Sequence, residues 1–275
     1  MRIKRFENFV NESDSNQKRV DMIDLFLMSE EEKIEWLFTE LYRENPNLET
    51  IKESFELGAI KSPNIKDLKL RLTPLTVALI NGHTEIADFL TQMGGIQNTS
   101  SELNFALSLS IYFNFSEDFV ERLIEMGADP NYSDKIEYER LHPILYHGLL
   151  PLHMAVKFKI VSLVKLLISK GADPNAKDMS HYNATPLHYC VINESPESIE
   201  IAKFLLEDIG VYPNNKTNTL KTPLHWAAAN QTYKMIKLLL DYGADTEAED
   251  SQGFTYKDIL NQVESDWIDN INNNL

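Results

Sequence analysis

Thr222-Pro223-Leu224-His225 opens a stretch that runs through Met235-Ile236-Lys237-Leu238-Leu239-Leu240 and stops at Gly243-Ala244-Asp245. Each part has a physical job. A threonine ahead of a proline is a helix start, because its hydroxyl can cap a free backbone N–H and proline tolerates the first helical position. A glycine after a leucine-rich run is a helix stop, since the chain can turn there with positive φ. The stretch therefore predicts two helices and a turn. The leucine-rich helix has an apolar face that it cannot bury alone, so it needs neighbours of the same kind.

The chain supplies those neighbours. Thr185-Pro186-Leu187-His188, Leu150-Pro151-Leu152-His153 and Thr73-Pro74-Leu75-Thr76 repeat the opening. Gly171-Ala172-Asp173-Pro174-Asn175 and Gly127-Ala128-Asp129-Pro130-Asn131 repeat the close, and Leu163-Val164-Lys165-Leu166-Leu167-Ile168 repeats the run. Thr222 and Thr255 stand 33 residues apart, a period typical of stacked helical repeats.

These phrases, in this order and at this spacing, resemble the ankyrin-repeat family. The resemblance implies an all-α ankyrin-repeat solenoid of about six helix–turn–helix units, with short β-hairpin fingers and an N-terminal helical cap. The expected layout is a helical segment over 1–34 and an array over 35–275. Its units fall near 35–65, 66–98, 99–149, 150–184, 185–221 and 222–254, with a C-terminal cap at 255–275. Leu48 to Ala59 resembles a second helix, and Ser101-Glu102-Leu103-Asn104-Phe105-Ala106 is a degenerate opening. The gap from Ser101 to Leu150 places an insertion near 133–149, and the unit from Thr185 to Thr222 is also long. Ser29-Glu30-Glu31-Glu32 reads as a capping box that opens a helix holding Trp36, Leu37 and Leu41. Met1 to Val10 reads as a short amphipathic helix and Asn11 to Gln17 as a polar linker. The opening Arg2-Ile3-Lys4-Arg5-Phe6-Glu7-Asn8-Phe9-Val10 resembles the starts of many proteins of large tailed phages, which implies a bacterial host protein, for example a defence component, as the target.

Composition narrows the function. The formal net charge is −16, which disfavours nucleic acid and anionic membrane as partners and favours a neutral or basic protein. The charge is uneven: residues 21–60 hold eleven acids against three bases, 241–275 nine against one, and 141–180 five bases against two acids. The lone cysteine, Cys190, rules out an internal disulfide and suits the cytoplasm. No apolar run approaches the roughly 18 residues of a membrane span.

No phosphate loop, zinc-protease, paired-cysteine or nucleophile-elbow motif is present, so the chain reads as a non-enzyme without cofactor or metal. His153, His188 and His225 recur one repeat apart, too far to share a metal; the family resemblance implies that they tie finger to helix. His142 and His147 lie near His153, but their apolar neighbours Pro143, Ile144 and Leu145 argue for packing over zinc.

The resemblance also implies a concave face, lined by finger tips and first helices, where a protein partner binds. Carried over by register, its candidate residues are Tyr146, His147, Lys157 and Phe158 in one unit. In the next they are His181, Tyr182, Tyr189, Ile192 and Asn193, and in the last Lys221, Trp226 and Asn230. Trp226 leads, because large aromatic rings dominate interface energetics. A competing reading makes the acidic chain a nucleic-acid mimic that blocks a DNA- or RNA-binding protein.

Overall fold

Capping residues decide where the helices start. In the computed structural model, which describes residues 22–66, 73–95, 100–132, 149–178 and 182–263, the chain divides between Ala128 and Asp129 into two compact units. The expected opening helix, the polar linker, most of the insertion and the end of the C-terminal cap lie outside the described residues.

The first unit contains α1 (Met22–Leu27), α2 (Glu30–Leu41), α3 (Leu48–Glu56), α4 (Pro74–Ile80), α5 (Thr84–Gln92), α6 (Ser100–Tyr112) and α7 (Glu117–Glu125). The capping box at Ser29 is formed. Its hydroxyl accepts the Glu32 N–H at 3.3 Å, and the Glu32 carboxylate accepts the Ser29 N–H at 2.8 Å. Helices α2, α4 and α6 pack in series, and α3 packs on α5. Helix α6 explains the degenerate opening: every residue from Leu103 to Ile111 is buried. A helix covered on all sides has no polar face, so its sequence loses the amphipathic stripe.

The second unit contains α8 (Pro151–Lys157), α9 (Val161–Ser169), α10 (Pro186–Cys190), α11 (Pro196–Lys203), α12 (Pro223–Ala229) and α13 (Tyr233–Asp241). The described residues end in a further helix, α14, over 256–263. First helices α8, α10 and α12 form one layer; second helices α9, α11 and α13 form the other. Leu163, Leu167, Leu187, Leu205, Leu224 and Leu239 are buried between them. The long unit from Thr185 absorbs extra residues by running α11 into a π-helical turn, Phe204–Asp208.

Four helix-to-helix turns use one left-handed residue each, Gly82 (φ 71°), Asn114 (φ 54°), Lys159 (φ 63°) and Gln231 (φ 54°), whereas the α10–α11 turn uses none. The turns also reach back to the preceding unit. Asn81 and His83 both contact the Leu41 carbonyl oxygen at 3.1 Å, and the Thr232 hydroxyl donates to that of Val191 at 2.8 Å.

The fingers differ from the expected β-hairpins, because no strand forms among the described residues. Each described finger of the second unit closes on one backbone bond: Asp178 N–H to Ala184 C=O, Thr217 N–H to Lys221 C=O, and Asp250 N–H to Phe254 C=O, at 2.8–2.9 Å. The return bond goes to a side chain. Asp178 Oδ1, Thr217 Oγ1 and Asp250 Oδ1 accept the N–H of Ala184, Lys221 and Phe254 at 3.1 Å. Loops this short have no room for a ladder, so a carboxylate or hydroxyl takes the place of the second rung. Among the described residues no helix is long and apolar enough to cross a membrane.

Candidate protein-binding surface

The repeated histidines hold the fingers to the helices. In α10 the Thr185 N–H donates to His188 Nδ1 at 3.1 Å, while His188 Nε2 lies 3.1 Å from the Lys221 carbonyl of the next finger. Thr222 and His225 repeat this, with His225 Nε2 3.0 Å from the Phe254 carbonyl. One ring therefore caps its own helix and clamps the following finger. The geometry assigns the tautomer: Nδ1 accepts and Nε2 donates. Burial holds all three rings below the usual histidine range, His153 and His188 to about 4. They are neutral near pH 7.

His153 keeps the forward clamp, 3.0 Å from the Ala184 carbonyl. Its Nδ1 has no hydrogen-bond partner among the described residues. Leu150 stands where the other units have threonine, which removes the hydroxyl that would meet it.

On this frame an aromatic cluster is built. Trp226 is half-buried on α12, with edge-to-face contacts to Tyr182 at 6.0 Å, Tyr189 at 5.8 Å and His188 at 5.2 Å. The Tyr189 hydroxyl donates to Asp178 Oδ2 at 2.5 Å, and its ring meets His153 at 5.7 Å. The outermost ring is Tyr182, on the finger, at 59% exposure. Adjacent fingers are strung together by backbone bonds of 2.9 Å, from Asn218 N–H to Tyr182 C=O and from Ser251 N–H to Thr219 C=O.

The other expected site residues fall in several places. Phe158, the cap residue of α8, and Ile192 are exposed apolar side chains, and Lys157 is exposed beside Phe158. Lys221 is half-buried, its Nζ 3.8 Å from Asp250 Oδ2. Asn193 and Asn230 make local contacts. Asn193 Oδ1 accepts from Ser195 N–H and the Ser198 hydroxyl, and Asn230 Nδ2 donates to the Trp226 backbone carbonyl. Tyr146, His147 and His181 lie outside the described residues.

Two further exposed apolar side chains escaped the sequence reading. Leu220, 45% exposed on a finger, holds φ 57°, where Gly253 holds 82° at the matching place two residues before the next unit. Leucine pays for that conformation, and strain of this kind collects at functional positions. Phe254, also exposed, ends the next finger. Its signal was available: it occupies the same place before Thr255 as Lys221 does before Thr222.

A family model described as ankyrin repeats (3 copies) matches residues 39–134 and 152–250. The chain belongs to the ankyrin-repeat family. Ankyrin repeats are as a rule interaction scaffolds for proteins and not enzymes. Among similar proteins, a putative palmitoyltransferase of Danio rerio is 26% identical over 79% of this chain and 31% of its own length. A BTB/POZ domain and ankyrin repeat-containing protein of Oryza sativa is 35% identical over 45% of the chain and 23% of its own length. A putative ankyrin repeat protein of Fowlpox virus is 30% identical over 54% of the chain and 89% of its own length. The ankyrin chain thus spans a third or less of the first two relatives, and no transferase activity carries over from so partial a match.

Proposed function

We propose that this chain binds another protein through the fingers and first helices of residues 149–254. The observation that carries the reading is Tyr182. It stands largely exposed on a finger, backed by Trp226 and by the clamped histidines, so its ring is held rigid before any partner arrives. Prior rigidity lowers the entropic cost of binding, and aromatic anchors supply most of the energy at protein interfaces. Phe158, Ile192, Leu220 and Phe254 extend the apolar character across neighbouring units. The opening that resembles tailed-phage proteins favours a bacterial host protein as the target.

Affinity capture from bacterial lysate tests this. The wild-type chain should retain a specific protein, the Tyr182→Ala variant should lose it, and Lys237→Ala, changed on the outer helix α13, should keep it. Equal retention by all three would count against the proposed face.

A further inference from the structure

The chain carries a net charge of −16, yet on two adjoining fingers of this face the exposed charges are lysines. Over the first helices α8, α10 and α12 and the described residues of the fingers at 175–184 and 214–221, the exposed charged side chains are Lys157, Lys177 and Lys216, with Lys221 half-buried; Asp173 is exposed just before the first of these fingers, and Asp245, Glu247 and Glu249 are exposed along the last one. Two finger carboxylates are turned inward. Asp178, at 0% exposure, accepts from the Ala184 N–H and the Tyr189 hydroxyl. Asp250 is buried and accepts the Gln252 and Phe254 N–H groups. Asp129, Asp173 and Asp245, exposed at the second-helix exits, each accept the N–H two residues on. Lys177 Nζ donates to the Lys216 carbonyl at 2.9 Å, which sets the two lysines on adjoining fingers.

We infer that the segment seated on this face is an acidic peptide of the partner, its carboxylates on Lys157, Lys177 and Lys216 and an apolar side chain against Tyr182. The inference rests on the binding reading above and names its chemistry. Whole-chain charge selects among anions. A nucleic acid strand carries charge along its whole length and meets the repulsion of the entire acidic molecule. A short acidic stretch in an otherwise neutral or basic protein meets mainly the nearby lysines, because charges beyond about 8–10 Å are screened at physiological salt.

The test is selection of a yeast-displayed random peptide library on the immobilised full-length chain. The selected peptides should be enriched in aspartate and glutamate over the starting library. A synthetic copy of the strongest should bind about tenfold more weakly or worse to the Lys177→Glu/Lys216→Glu variant, and near-normally to Lys234→Glu/Lys237→Glu on α13. Binding should weaken as salt rises. Circular dichroism melts check that the variants fold, and Lys177→Gln/Lys216→Gln gives the same direction with less perturbation. Enrichment in lysine and arginine, or in neutral peptides lost on Tyr182→Ala, would overturn the acidic assignment and leave the binding face standing. No enrichment, or peptides indifferent to every face variant, would overturn both. Tighter, lysine-dependent binding of single-stranded oligothymidylate, or lysine-dependent self-association of the chain, would replace the peptide with that occupant.

Discussion

His188 shows how one side chain serves fold and site together. It is fully buried, bonded to Thr185 and Lys221, and in edge-to-face contact with Trp226. Its pKa and that of His153 are depressed from 6.5 to about 4 by burial. Above pH 6.5 both rings are neutral whether the chain is folded or not. Between pH 6.5 and 4 the unfolded chain takes up protons that the folded chain refuses, so stability falls with pH. The loss approaches roughly 3 kcal/mol per ring by pH 4 and then levels off. Thermal melts should show this decline, and His188→Gln should flatten it; an unchanged slope would refute the assignment. Trp226 and Tyr182 separate in the same way. Trp226→Ala should cost about 2 kcal/mol because the ring is half-buried among three others, whereas Tyr182→Ala should cost no more than about 0.5–1 kcal/mol. Urea midpoints read both. The sequence placed Trp226 on the face by register, but could not tell anchor from wall, because that depends on the rings that gather around it. Tyr182 is therefore the cleaner probe of binding.

Helix starts and stops were readable because each rests on one or two adjacent residues. Thr-Pro openings, the Ser29 capping box and the glycine stops all form as expected. The fingers without strands and the π-helical turn Phe204–Asp208 were not readable. Both answer to lengths of chain between fixed anchors, not to any residue's own preference. Ties between units were partly hidden too. Asn131 donates to the Gly171 carbonyl and accepts the Asp173 N–H; Asn214 does the same with Gly243 and Asp245. At Asn131 and Asn214 the asparagine four residues after the helix-stop glycine thus fastens the next unit. Asn214→Ala should destabilise by about 1–2 kcal/mol, since two bonds are lost at a solvent-reached edge. At the helix-to-helix turn the chain offers its own control. Gly82 adopts the left-handed turn without strain, while Lys159 and Gln231 hold the same conformation with side chains. Lys159→Gly should therefore raise the urea midpoint, by about 0.5–1 kcal/mol of stability. A fall would show that the lysine side chain compensates for the strain.

At the scale of the molecule, composition and local placement point different ways. A net charge of −16 implies self-repulsion, so moderate salt should raise the melting temperature by screening it; a drop would mean that attractive ion pairs outweigh the repulsion. The same number, read alone, suggests a neutral or basic partner. It averages over the acidic ends and conceals Lys177 and Lys216, exposed on adjoining fingers beside the buried Asp178. Only the folded geometry shows which charges face outward. The family was legible in the order and spacing of short phrases; the chemistry of the face was not, because it depends on which side chains the turns bury. The central claim is that binding energy is concentrated on the rigid finger face around Tyr182. Its most direct test is the affinity of the captured partner for Tyr182→Ala compared with Lys237→Ala. A loss of about tenfold or more with the first and less than about twofold with the second is expected. Equal affinities for the two variants would contradict it.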